Sequence, residues 1–241
     1  MNALLPVFKR EFLGYFRTQI AYVFLTVFAV STVSLTWFIG RLFESNSASL
    51  NSFFTFMPWV FLFLVPAVGM RLWSEEIRSG TSELLFTYPV TLAQAVLGKF
   101  LAGWAFLAVG ILGTLTLPMT LAYLGDPEWG PIFSGYLGLV LMAGGYLGIC
   151  SLASALTRNQ VIAFVLGVLA CLILVFLGWS VFNDLLLNIG LPVWLVDGLS
   201  NFSFVTHFEN FMRGLLTLRD VLFFLILIAG SLSLNVIALN R

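Results

Sequence analysis

The chain has 241 residues, 60% of them hydrophobic and 9% charged, with eleven basic and eleven acidic side chains and a net charge of zero. Soluble domains carry about a quarter charged residues, and a soluble fold of this size has too little interior to hide so much apolar surface. The mean hydropathy of +1.04 agrees: the solvent for most of the chain is lipid, and the charge balance points to no nucleic-acid partner.

The N-terminal stretch Leu5–Gln19 comes first. Pro6 suits a first helical turn. Leu5, Phe8, Phe12, Tyr15 and Phe16 recur at helical spacing, while Lys9, Arg10, Glu11 and Arg17 fall largely elsewhere. Two readings fit: an amphipathic helix in the membrane interface, Phe8 and Phe12 toward lipid and Lys9, Arg10 and Arg17 toward headgroups, or a simple topogenic flank. The apolar run that follows resembles a signal sequence at its start but continues for about 20 residues, so an uncleaved anchor is expected.

Six stretches free of Asp, Glu, Lys and Arg are long enough to span a bilayer: about 21–40, 53–70, 100–123, 132–156, 160–182 and 221–239. They are continuous, which favours helices over barrel strands. With the N-terminus in the cytoplasm, eight of the eleven basic residues lie on the inner side, only Arg41, Arg213 and Arg219 outside. Both termini are therefore expected inside. Pro58, Pro66 and Pro118 are expected to kink their spans. The chain reads as one domain, residues 1–241.

The loop between the second and third spans is rich in signals. The second span continues as a polar helix with Glu75 and Arg78 one turn apart. Gly80 is placed to stop it. Thr81 or Ser82 caps a short helix carrying Glu83, Leu84 and Leu85, and Pro89 ends it. Thr91 and Gln94 form a capping box opening the third span. One reading is a short helix held crosswise beneath the membrane, able to take a push from a soluble partner; the other is an ordinary charged loop.

Small residues stripe the fourth span (Gly144, Gly148, Ser151, Ala155) and the fifth (Gly167, Cys171, Gly178), for a dimer seam or for packing within one subunit. Between spans five and six, Leu185–Leu199 is apolar, and Phe204, Phe208, Phe211, Leu215 and Leu218 share one helical face. His207, Asn210 and Arg213 lie off that stripe, and Glu209 can pair with Arg213. Two short helices dipping into the outer leaflet are expected, as a gate formed by Phe204, His207, Phe208, Phe211 and Arg213 or as an interfacial cap.

Catalytic sets are absent. There is no G-x-x-x-x-G-K-[ST] loop, one histidine, and two cysteines inside apolar runs without disulfide or metal-ligand spacing. The apolar runs hold no acid or base for ion coupling, apart from what hides at their ends. The chain is expected to be no enzyme and to bind no cofactor or metal.

The segment Glu75-Glu76-x-x-x-Gly80-Thr81-x-Glu83-x-Leu85, followed by Pro89-Val90 and Lys99, resembles the signature of the ABC-2 type permeases of bacterial ATP-binding-cassette transporters. With the basic N-terminal helix and six spans, the resemblance covers essentially the whole chain. His207-Phe208-Glu209, Arg213-Gly214 and Arg219-Asp220 resemble the gliding-motility permease branch; gliding itself does not follow. The resemblance implies an all-α permease subunit in the bacterial inner membrane. It implies a second permease subunit, identical or not, and two ATPase subunits that hold the ATP and Mg. Glu75, Glu76, Arg78, Gly80, Thr81, Glu83, Leu84, Leu85 and Pro89 would couple to that ATPase, with 81–88 as coupling helix and 185–218 as exterior re-entrant helices. Spans one and five would line the dimer seam. An exporter is the first expectation. A transmitter acting on periplasmic or membrane-anchored partners without moving a solute is the first alternative, and a stand-alone channel or scaffold the second.

Overall fold

A computed structural model describes residues 4–41, 49–80 and 91–240, and the side chain of Ile20 stands outside that description. Among these residues the fold is entirely helical. In chain order the helices are α1 (Leu4–Arg17), α2 (Gln19–Ser34, prolonged by a π-helical turn Leu35–Ile39), α3 (Asn51–Gly69), α4 (Ser74–Ser79) and α5 (Leu92–Gly113). Then follow α6 (Thr116–Leu124), α7 (Trp129–Ala155), α8 (Gln160–Phe176), α9 (Ser180–Asn188), α10 (Val193–Ser200), α11 (Phe204–Met212) and α12 (Leu218–Leu239).

Five helical stretches are long and apolar enough to cross a membrane: Ala21–Ile39, Asn51–Ser79, Leu92–Leu124, Trp129–Ala155 and Leu218–Leu239. A sixth is reached if α8 and α9, bent by 74° at Leu177–Trp179, count as one crossing. A protein embedded in a membrane follows from this set.

α7 is the hub. In its most apolar window 78% of residues are buried, against 22% in α2 and 28% in α12. It packs on α3, α5, α8, α11 and α12. Small residues make this closeness feasible, because helices in lipid associate by backbone approach and not by expelling water. Gly148 faces Ser231 of α12, Gly144 faces Ile228 and Trp104, and Gly167 of α8 lies against Cys150 of α7. The small-residue stripes therefore serve packing within one subunit. Asn235 of α12 donates to Ser151 at 2.6 Å, a polar tie in the same seam.

Several boundaries differ from expectation. The third spanning helix begins at Leu92, where the Thr91–Gln94 box opens it, and so carries Lys99 ahead of its charge-free stretch. The last begins at Leu218 and carries Arg219 and Asp220. α3 runs unbroken through Pro58 and Pro66, whereas the helix containing Pro118 breaks just before it, between Gly113 and Thr116. The fifth apolar run does not continue straight through Phe182, and three short helices stand where two were expected.

The apolar stripe from Phe204 to Leu218 also needs correction. α11 stops at Met212, Gly214 takes a positive φ of 82°, and Leu215 and Leu218 are exposed. A left-handed residue there ends the helix, and Thr217 caps the next one by accepting from the Asp220 amide.

Candidate functional site

Two clusters of polar side chains stand at the ends of the apolar bundle. The first gathers where α1, α4 and α5 meet. α1 lays Val7 against Gly98 of α5, and its Tyr15 ring stacks on Phe106 at 4.8 Å. Lys9, Arg10 and Arg17 stay exposed on its other side. The amphipathic pattern has thus found a protein partner for part of its apolar face.

α3 yields to α4 through a break at Met70–Trp73. Ser154 of α7 mends it: its hydroxyl accepts from the backbone N–H of Trp73 and Ser74 at 3.1 and 3.0 Å, and donates to the Met70 carbonyl at 2.7 Å. A tertiary serine thus replaces the capping side chain that α4 lacks. α4 ends at Gly80, whose φ of 72° is the left-handed conformation glycine tolerates.

Lys99 reaches into this junction with only 3% of its surface exposed. Its Nζ donates to Glu76 Oε1 at 2.6 Å and to the Leu72 carbonyl at 3.2 Å, lies 3.7 Å from Glu11 Oε1, and sits 5.0 Å from the centre of the Trp73 ring. A buried ammonium needs such partners, because desolvation alone costs several kcal/mol. One side chain therefore ties α5, α4 and α1. Glu75 pairs with Arg71 (3.3 Å) in the preceding turn and not with Arg78, which is exposed. Burial, with Glu11 adding, pushes the Tyr15 phenol well above its usual range, so it stays neutral.

Among the expected coupling residues, Glu76 faces inward to Lys99, and Glu75, Arg78 and Gly80 are at the rim. Thr81, Glu83, Leu84, Leu85 and Pro89, and with them the expected short helix 81–88, lie outside the described residues. Thr91 and Gln94 form the reciprocal capping box read from the sequence.

The second cluster joins α11 to α12. His207 is 4% exposed and Asp220 1%, so the only histidine is neither a surface residue nor off the buried face. Its Nδ1 lies 2.6 Å from Asp220 Oδ1, and its Nε2 lies 2.9 Å from the Asn201 carbonyl. A carbonyl only accepts, so Nε2 donates. The short contact at Nδ1 also needs a proton between ring and carboxyl. Asn210 donates to Asp220 Oδ2 at 2.9 Å and Thr217 donates to the same oxygen. His207 also stacks on Phe223 at 4.0 Å.

The remaining expected gate residues divide. Phe204, Phe208 and Phe211 are buried: Phe204 stacks on Tyr146, Phe208 meets Phe54 edge to face and Phe211 lies tilted against Phe224, whereas Arg213 is exposed and 3.7 Å from Glu209. Sequence reasoning did not single out Asp220 as a partner of His207, although Thr217-x-x-Asp220 carries the pattern of a helix start. Ser154 as a tertiary cap left no signal in its own neighbourhood.

Neither cluster offers a metal site: among the described residues no group of three or more His, Cys, Asp or Glu stands close enough to hold an ion. No protein-family model and no curated protein matches the chain.

Proposed function

We propose that the chain is the membrane-spanning permease subunit of an ABC-2 type transporter, working with a separate ATPase and a second permease subunit in a bacterial inner membrane, both termini cytoplasmic. The observation that carries this reading is the Lys99–Glu76 tie. Glu76 stands one turn before Gly80, and Lys99 two turns after Thr91. The ten residues between thus leave and re-enter one platform, which α1 joins through Glu11. A push on segment 81–90 would move α3, α4 and α5 together instead of being lost in a slack hinge. In this reading α1 lies at the cytoplasmic interface, and α9, α10 and α11 form the exterior re-entrant element, closed by the His207–Asp220 pair.

The test is capture of the tagged full-length chain from its native membranes after mild crosslinking. A nucleotide-hydrolysing subunit should accompany it and be lost on Glu83→Arg, while chain abundance is unchanged. Capture without any ATPase, or capture indifferent to Glu83→Arg, would sink the reading.

One observation favours a transmitter that moves no solute. Threonines in the first span turn back onto their own helix, as Thr32 to Phe28 and Thr36 to Thr32, and large aromatics fill the centre around Tyr146. The described part of one subunit thus shows no polar path. ATP hydrolysis in reconstituted vesicles without flux of any solute or lipid would select this reading.

A further inference from the structure

We propose that the crevice between the α1–α2 elbow and α3 binds a zwitterionic phospholipid bearing a primary ammonium, one acyl chain in the crevice and the headgroup beside Arg71. The inference rests on the helices spanning a bilayer, not on the permease reading.

Two pockets meet at this place. One is an apolar slot of about 230 Å³ between Val23, Phe24 and Val27 of α2 and Leu64, Ala67 and Val68 of α3. The other is a pocket of about 160 Å³ whose lining includes the charged side chains Glu11, Arg71, Glu75 and Lys99. Both are also lined by Tyr15, Thr18 and Arg71, so the two adjoin. Tail space runs along a spanning helix, and head space begins where α3 ends. That is the depth at which basic and aromatic side chains meet headgroups. Val23 and Val27 are 61% and 44% exposed, so the slot faces the lipid and a chain can enter sideways.

Charge complementarity selects the headgroup. The cluster holds three cations, Arg10, Arg71 and Lys99, and three carboxylates, Glu11, Glu75 and Glu76, bound to one another at 2.6 to 3.7 Å. Its charges cancel, so a net anion gains little there, while a headgroup with both signs meets both. Arg71 engages Glu75 through Nε, leaving its terminal amino groups to meet a phosphate. Glu11 and Glu75 accept hydrogen bonds, which a primary ammonium donates and a quaternary one does not.

The test is native mass spectrometry of the full-length chain in mild detergent. It is offered phosphatidylethanolamine, phosphatidylcholine and phosphatidylglycerol of identical acyl composition. The ethanolamine lipid should be retained preferentially. Val27→Trp, which fills the slot from α2, should lower retention about tenfold, as loss of about two buried methylenes does. Ala67→Leu, filling it from α3, should act in the same direction if the tryptophan variant does not fold, and Ile226→Trp on the exposed side of α12 should change nothing. Glu11→Gln with Glu75→Gln should move the preference toward phosphatidylglycerol. Equal retention of all three lipids, a wild-type preference for phosphatidylglycerol, or unchanged retention in folded slot-filling variants would overturn the proposal. The measurement involves no ATPase, so its failure and that of the permease reading are separate.

Discussion

Lys99 and Glu76 are joined at 2.6 Å, their side chains 3% and 23% exposed. Breaking such a pair strands a charge, whereas removing both ends need not. Glu76→Gln should destabilise the chain by about 2 kcal/mol, below the usual 3–5 for a fully buried pair because Glu11 stands near to share the Lys99 charge. Lys99→Met with Glu76→Leu should recover at least half of that loss. Thermal unfolding in one detergent at one lipid content reads both, and a double variant no better than Glu76→Gln would contradict the pairing.

Much of the architecture is written locally. The apolar runs, Gly80 as a stop and the Thr91–Gln94 box need only neighbouring residues, and the structure has the stop and the box where the sequence puts them. The polar clusters are different. Lys99 and Glu76 are 23 positions apart, and Ser154 is about 80 from the amides it caps. No periodicity couples such residues, because a helix face is read over a few turns and says nothing of which helix it meets. The stripe from Phe204 to Leu218 misleads for a related reason: its spacing is helical, but Gly214 turns left-handed and Thr217 starts a new helix. His207 then falls between two helices, where Asp220 can face it.

Asp220 gathers three donors, from His207, Asn210 and Thr217. Asp220→Asn turns one acceptor oxygen into an N–H that must face one of them. A buried clash of donors costs about 1–3 kcal/mol. Faster hydrogen exchange across 201–213 should accompany the loss, because the pair holds α11 to α12. Asp197→Asn, at an exposed position, should stay within about 0.5 kcal/mol of the parent. Equal exchange in the two variants would argue against the tie.

Two glycines separate close packing from helix propensity. A Cβ on Gly69 would lie 2.4 Å from Cys150 Cβ, an atom fixed to the α7 backbone, whereas one on Gly230 would meet nothing within 4 Å. Gly69→Ala should therefore cost about 1–3 kcal/mol by overpacking. Gly230→Ala should be neutral or stabilising by up to about 1 kcal/mol, since alanine loses less backbone entropy in a helix. Paired melting curves check the contrast, and the same sign for both would refute the α3–α7 contact.

Cys150 and Cys171 are 1% and 0% exposed, their sulfurs 4.0 Å apart between α7 and α8. Thiol reagents act on exposed thiolates, so neither cysteine should label while the bundle is intact, and both should label once it opens. Because Gly69 abuts Cys150, Gly69→Ala should bring forward the labelling of Cys150 on heating, by the same interval as it lowers the melting midpoint. Opening at the α3–α7 contact alone would instead label Cys150 before Cys171. Rapid labelling of either thiol in the unheated protein would show that the seam around α7 is looser than the packing of Gly69, Gly167 and Cys150 requires.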